Sequence, residues 1–406
     1  MKIIQCAPID IAVSKILKYA GTERIIDALN QSYSELGHDS IVAASGDSNL
    51  GGYGSLFVTR ENSLWHTNGL ERKMVRSDEA YENHFEKSLN LAFSQSADVL
   101  HAHPGKFLVD SDAYRKAISK IEFPIVTTIH EDISTDKLKL YENLKNLKER
   151  GFPVYFLGIS NSHLNTYAGI GLNLDGFVYN GIPVEIFPFK EKKQDYLFWI
   201  GRVSDIKGTD LAVQIAKKSG RPLVIAGEVH DVYKKFYDEK VFPYLTWAND
   251  SGSVEDQEKK RNDLVSKLNV GKSIVDSGEI IFVGPLDDKQ KAVFYSNASA
   301  TLVPNRWKEP FGLIIVESMA CGTPVLGTTF GAIPELIEDG KTGYLIEPPS
   351  NFLESPLGEI ELTNEFAYFV NNLGSIYPSD CRKHVENKFS REIMSQTYLD
   401  FYKKVL

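Results

Sequence analysis

The feature that most constrains this chain is an alternation of short apolar runs with helical patterns, and the alternation starts twice. Runs rich in Ile, Val and aromatics at 2–6, 40–44, 99–103, 125–129, 154–159 and 176–179 read as buried strands. Between them, 22–37, 82–96 and 137–150 carry apolar residues at helical spacing; Leu140, Leu144 and Leu147 share one face, opposite Lys and Glu. Strands that alternate with helices predict a parallel sheet covered on both faces, because parallel neighbours need a long crossover. A second set of strands then begins at 196–200 and continues through 222–226, 280–283, 300–304 and 324–327. Between the sets, 180–190 holds Gly181, Pro183 and Pro188 and runs into charges, as a linker would.

With 406 residues the chain exceeds the usual size of one core. The expected fold class is α/β: two Rossmann-like, doubly wound domains at 1–188 and 189–384, facing each other across a deep cleft. A helix at about 385–406 could pack back on the first domain. Ligands of such sheets bind at the carboxyl ends of the strands, which makes the cleft the expected site. The segment 251–279 is too long and too charged for an ordinary connection and reads as an insertion with a helix over 255–268.

Composition removes several classes of function. A net charge of −9 argues against a general nucleic-acid binder, which needs clustered Lys and Arg for phosphates. It equally weakens tight docking on anionic lipid, although peripheral membrane contact stays open. No apolar stretch approaches the roughly 18 residues of a membrane span. The apolar start is stopped by Pro8 and reads as a first strand rather than a signal peptide. Cys6, Cys321 and Cys381 are far apart and in no metal-binding spacing, which suggests reduced thiols and a cytoplasmic protein. A monomer and a homodimer are equally compatible with this sequence.

Two constellations carry chemistry. In Gly201-Arg202-Val203-Ser204-Asp205-Ile206-Lys207-Gly208 a strand ends in Gly, and Arg202 and Lys207 precede a helix beginning near Thr209. Two cations beside a helix N-terminus suit a diphosphate, which Arg grips bidentately while Lys acts as a point charge. Alone, the pair would more simply be two solvated surface cations. Downstream, Glu309 sits in a Pro/Gly loop and Glu317 in an apolar helix beginning near Gly312, with seven residues between them. Carboxylates so placed can accept hydrogen bonds from two hydroxyl-bearing parts of one ligand, and the apolar surroundings of Glu317 argue against a solvated helix face.

These residues resemble the E-x7-E motif of the family 4 glycosyltransferases, retaining enzymes of two Rossmann domains (the GT-B architecture). Gly201-Arg202…Lys207-Gly208 is similar to their diphosphate loop, and Asn180-Gly181-Ile182 to their hinge. Gly322-Thr323-Pro324-Val325, Gly331 to Glu335 and Asp339 to Tyr344 match the downstream signature, and Ala20-Gly21-Thr22-Glu23-Arg24 the N-terminal glycine loop. Alanine at position 20 departs from the usual pair of glycines. The resemblance implies that Glu317 binds the ribose hydroxyls of a nucleotide. Glu309 and the amides of Phe311, Gly312 and Leu313 would hold the donor sugar. Arg202 and Lys207, joined by the Gly21 loop, would neutralise the diphosphate, and the base would rest near Gly284-Pro285-Leu286. His130, at the end of a strand, would contact the sugar's 6-hydroxyl. Catalysis would need no metal and no other cofactor; Asp110-Ser111-Asp112, the one Asp-x-Asp, reads as a solvated helix start.

Likeness at 221–228 and 43–48 to a bacterial branch favours UDP-glucose as donor, with retention at the anomeric carbon. The acceptor is left as a saccharide, a glycolipid or a small molecule, in polysaccharide or glycoconjugate synthesis. The alternatives are a GDP-sugar mannosyltransferase and an inactive nucleotide-sugar-binding scaffold; an epimerase or a phosphorylase on a similar fold finds no motif. His101 or His103 could border the acceptor pocket. His163 reads as structural and Ser160 as the better edge residue.

Overall fold

The computed structural model describes residues 1–14, 21–68, 71–74, 78–103, 107–134 and 137–406. Two compact units result, Met1–Ile182 with Ser390–Leu406, and Pro183–Phe389. In the first unit seven parallel strands form one sheet: β1 (Lys2–Cys6), β2 (Asp39–Ser45), β3 (Ser55–Arg60), β6 (Val99–Ala102), β7 (Ile125–Thr128), β8 (Val154–Gly158) and β9 (Gly176–Phe177). Their order is β3-β2-β1-β6-β7-β8-β9, and β4 (Trp65–Asn68) and β5 (Glu71–Met74) make a separate antiparallel pair. Ile3, Ile4, Val99, Leu100, Ile125 and Val126 are wholly buried, which explains why these strands read as unbroken apolar runs.

The chain returns to this unit at its end. Helix Arg391–Val405 packs on helix Gly21–Glu35 through a buried polar seam. Tyr33 and Tyr402 share a hydrogen bond of 3.0 Å, Ser32 and Ser395 one of 2.6 Å, and Tyr398 one of 2.9 Å with Thr128 of β7. Every member finds a partner, so the seam specifies how the last helix docks.

The second unit repeats the plan with β10 (Leu197–Ile200), β11 (Leu223–Ala226), β12 (Trp247–Ala248), β13 (Ile280–Gly284), β14 (Ala300–Val303), β15 (Val325–Thr328) and β16 (Gly343–Ile346). The order is β12-β13-β11-β10-β14-β15-β16, all parallel. Both units are therefore Rossmann-like. In each, the strand order reverses beside the first strand, between β1 and β6 and between β10 and β14. Loops leaving those strands diverge and open a crevice at their carboxyl ends. Segment 251–279 contains helix Val254–Asn269, whose first turn is closed by a capping box between Ser253 and Asp256.

Candidate functional site

The loops after β10 and β14 flank the reversal point of the second sheet, and they bring the two motifs together. Lys207 Nζ donates to Glu309 Oε2 at 2.7 Å, and Asn305 Nδ2 donates to the same oxygen at 2.9 Å. Both bonds fall on Oε2, so Oε1 retains capacity for a ligand hydroxyl. The ammonium of Lys207 also lies 4.3 Å from the centroid of the Trp307 ring. Glu309 itself is fixed by its backbone, which bridges to Gly331 and accepts from Ala332 N at 2.8 Å.

Two helix N-termini point the same chemistry at this place. Helices Thr209–Ser219 and Leu313–Ala320 are each preceded by a left-handed glycine, Gly208 (φ 67°) and Gly312 (φ 105°), and neither has a side-chain cap. A Cβ on Gly208 would lie 2.0 Å from the Pro304 carbonyl oxygen, so only glycine allows the two loops to approach. The leading amides of an uncapped helix are ready donors for an anion or a hydroxyl. Arg202 precedes the first of these helices. It has no carboxylate partner among the described residues, its Nε is buried without a hydrogen bond, and its guanidinium lies 5.9 Å from the Tyr233 ring centroid.

Glu317 is 1% exposed and sits inside helix Leu313–Ala320. Its Oε1 accepts from Lys291 Nζ at 2.9 Å and its Oε2 from Tyr295 OH at 3.3 Å. Both partners come from helix Asp288–Asn297, and Lys291 also pairs with Asp288 at 2.7 Å. The solvated-face reading of Glu317 is thereby excluded. Helix Val254–Asn269 is joined to the same helix by Gln290, whose Nε2 donates to Glu258 and Asn262; Glu258 is in turn paired with Arg261 of its own helix, 2% exposed, at 2.7 Å. The insertion thus buttresses the helix that holds Glu317. At the end of β13, Gly284 is left-handed (φ 76°) and its carbonyl accepts from Gly227 N at 3.0 Å; Leu286 is buried.

Arg306 is the residue that sequence reasoning missed. Its guanidinium holds Asp210 bidentately at 2.7 and 2.8 Å, Glu359 at 2.7 Å, and the Asp205 carbonyl at 2.8 Å. One side chain therefore locks the loop of Glu309 to the loop of Lys207. The available signal was its place in the loop Asn305-Arg306-Trp307, three residues before Glu309.

In the first unit, His130 follows β7, half-buried, and its Nε2 lies 3.1 Å from Nδ1 of His103. Burial pushes the His130 imidazole down to about 3 and that of His103 well below the usual range, so both are neutral hydrogen-bonding groups at ordinary pH. The idea that His101 or His103 borders a pocket needs correcting. His101 is wholly buried between Tyr402 (2.6 Å) and Thr128 (2.8 Å), and His103 is 2% exposed. Ser160 is likewise no edge residue; it is buried and accepts from His163 N as the cap of helix Asn161–Ala168. His163 anchors the Glu131 carbonyl at 2.7 Å. Asp110 and Asp112 both pair with Arg115, which accounts for the Asp-x-Asp without a ligand. A cavity of about 560 Å3 lies beside them, lined by Asp110, Tyr114, Arg115, Asn143 and Arg150, and none of the motif residues reaches it. Tyr19 and Ala20 of the glycine loop, and Pro104 and Gly105, lie outside the described residues. Gly21 is the first residue of its helix.

Beside Gly21 lies a second group that went unread, Glu23, whose carboxyl burial pushes up from 4.5 to about 7, with Asp10 adding to the shift. The folded chain holds this proton more tightly than the unfolded chain. Stability is therefore lost as pH rises from about 4.5 through about 7. Glu23→Gln should be more stable than the parent at pH 8, by roughly 3 kcal/mol at most, and equal to it at pH 4. Urea melts at the two pH values test this; an equal difference at both would refute it.

Comparison with known proteins agrees with this geometry. Residues 184–353 match the family Glycosyl transferases group 1, a stretch that includes Arg202, Lys207, Glu309 and Glu317. An uncharacterized 41.2 kDa protein in the cps region of Klebsiella pneumoniae is 24% identical over 332 residues, 75% of this chain and 78% of that one. A D-inositol 3-phosphate glycosyltransferase of Acidothermus cellulolyticus is 28% identical over 153 residues, 37% of this chain but only 30% of its own length. Among solved structures, Anabaena Alr3699/HepE in complex with UDP aligns over 100% of both chains with a TM-score of 0.64 at 15% identity, a likeness of fold. The chain is a glycosyltransferase built from two Rossmann-like domains. More narrowly, residues 184–353 are similar to the family 4 glycosyltransferases. Among the described residues no helix is long and apolar enough to cross a membrane.

Proposed function

We propose that the protein transfers a hexose, glucose by preference, from a UDP-sugar to an acceptor hydroxyl with retention at the anomeric carbon. The observation that carries this reading is the meeting of Lys207 and Glu309 at the strand-order reversal, beside two uncapped helix N-termini. Arg202 and Lys207 neutralise the diphosphate as it leaves, which is electrostatic stabilisation by charges already in place. Glu309 and the amides of Phe311, Gly312 and Leu313 hold the sugar, while Glu317 takes the ribose and Gly284 to Leu286 the base. The family resemblance assigns Gly21 to the phosphate and His130 to the sugar. The transition state is oxocarbenium-like, and the departing phosphate accepts the proton of the attacking hydroxyl. On this reading the two cations do the work of a divalent metal.

UDP and UDP-glucose are favoured because Anabaena Alr3699/HepE has been crystallised with each. A small polyol or a growing saccharide is the acceptor class, since the Acidothermus relative acts on an inositol phosphate and the Klebsiella relative belongs to the cps region. The three cysteines are buried free thiols, suited to a reducing cytoplasm. The test is a melting-temperature and hydrolysis screen over nucleotide sugars in EDTA. UDP should raise the melting temperature and UDP-glucose should be hydrolysed with the chelator present. Activity lost in EDTA and restored by Mg2+ would refute the metal-independent mechanism. Indifference to every nucleoside diphosphate would refute the donor site.

A further inference from the structure

Strands β6 and β7 run parallel with Ala102 opposite Thr127, and this register delivers His103 and His130 side by side just past the strand ends. Their rings meet edge to edge, with centroids 5.4 Å apart and planes at 28°, and Nδ1 of His103 lies 3.1 Å from Nε2 of His130. A hydrogen bond between two neutral imidazoles uses one N–H and one lone pair, so the pair has two possible arrangements. The remaining nitrogen of His103 decides between them. Nε2 of His103 is buried and meets no partner among the described residues. If His130 donated, His103 would carry its proton on that Nε2, leaving an N–H buried and unmet. If His103 donates from Nδ1, the unmet atom is only a lone pair. Buried N–H groups without acceptors are rarer and costlier than under-used acceptors. The second arrangement wins.

The ring of His103 is also held from behind. His101 packs against it with centroids 3.9 Å apart, and His101 is fixed at both nitrogens, by the Tyr402 hydroxyl and by Thr128. His103 therefore has no freedom to turn its donor away.

We propose that His103 is a positioning residue: by donating Nδ1–H to Nε2 of His130, it fixes His130 as the Nδ1–H tautomer and makes it a hydrogen-bond donor to an oxygen of the bound sugar. The sugar contact rests on the reading of His130 given above; the tautomer does not. In free histidine the Nε2–H form is the favoured one, so the protein is selecting the minor form.

The experiment uses the full chain labelled with 15N in histidine. Long-range 1H–15N spectra should show His130 with a protonated Nδ1 and a bare Nε2. In His103→Asn the amide can place an N–H where Nδ1 stood, so the tautomer and the turnover should be retained. In His103→Leu, His130 should shift to the Nε2–H form, with kcat for UDP-sugar hydrolysis falling about tenfold and UDP affinity unchanged. A wild-type His130 protonated on Nε2 would overturn the proposal, and so would identical spectra and turnover in the Leu and Asn variants. The wild-type spectrum decides even if a variant fails to fold. Should His130→Ala turn over UDP-sugars like the parent, the sugar contact is refuted on its own, and the spectra still decide the role of His103.

Discussion

Lys207→Ala is expected to lower turnover of the nucleotide sugar by about 10²-fold or more, the loss typical of removing one fixed group that stabilises a developing negative charge. The side chain of Lys207 is 20% exposed and held by Glu309 and Trp307, so its removal takes the ammonium from a carboxylate that is 13% exposed. Glu309 keeps the bond from Asn305. Stability should fall by about 1–2 kcal/mol while kcat collapses, and that contrast separates a functional lysine from a structural one. Arg202→Ala should behave alike, because Arg202 has no carboxylate partner among the described residues. Lys207→Arg should restore little, since a planar fork does not replace a point charge held over an indole ring. Initial rates of UDP-sugar hydrolysis, paired with melting temperatures, make the comparison. Unchanged rates in both alanine variants would remove the diphosphate assignment.

How much of this was legible beforehand depends on what each residue's evidence rests on. Central strands such as β1, β6, β10 and β14 are buried on both faces, so their apolar runs announce them. In the two seven-stranded sheets the strands that went unread, β3, β12 and β16, lie at the edges. An edge strand faces solvent on one side; Val58 of β3 is 50% exposed, and β12 is two residues long. β3 offers only Leu56-Phe57-Val58, and both runs are too short to mark a strand by themselves. The candidate site shows the same division. Arg202, Lys207, Glu309 and Glu317 were legible because loops and helix starts impose local residue choices, glycine above all. Arg306 and Lys291 were not, because each matters through partners far along the chain: Asp210 and Glu359 for the first, Glu317 for the second. His101 and His103 were read as edge residues since they end a strand, but the closing helix Arg391–Val405 buries His101 under Tyr398 and Tyr402. A contact with a residue 301 positions away has no local signal.

Glu317→Gln carries the other large effect, and it has two parts that must be pulled apart. The substitution removes a buried carboxylate from Lys291, itself 9% exposed, and breaking one partner out of a buried pair commonly costs about 3–5 kcal/mol. Asp288 remains 2.7 Å from Lys291, which places the expected loss near the lower end, roughly 3 kcal/mol. The same carboxylate is assigned to the ribose hydroxyls, and a hydrogen bond to a charged acceptor is worth about 1.5–3 kcal/mol, so UDP affinity should fall about 10- to 100-fold. A destabilised protein could bind UDP weakly for the first reason alone. Glu317→Gln with Lys291→Met settles the matter. Removing both charges clears the buried ammonium left by the single change, while Asp288, 12% exposed, loses its bond from Lys291, so the double variant should recover part of the lost melting temperature. The ribose would still meet an amide in place of a carboxylate, so UDP affinity should remain low. Calorimetric titration of UDP into the parent, the single and the double variant gives the three affinities. If affinity returns together with stability in the double variant, Glu317 serves the fold only, and the ribose belongs to other groups.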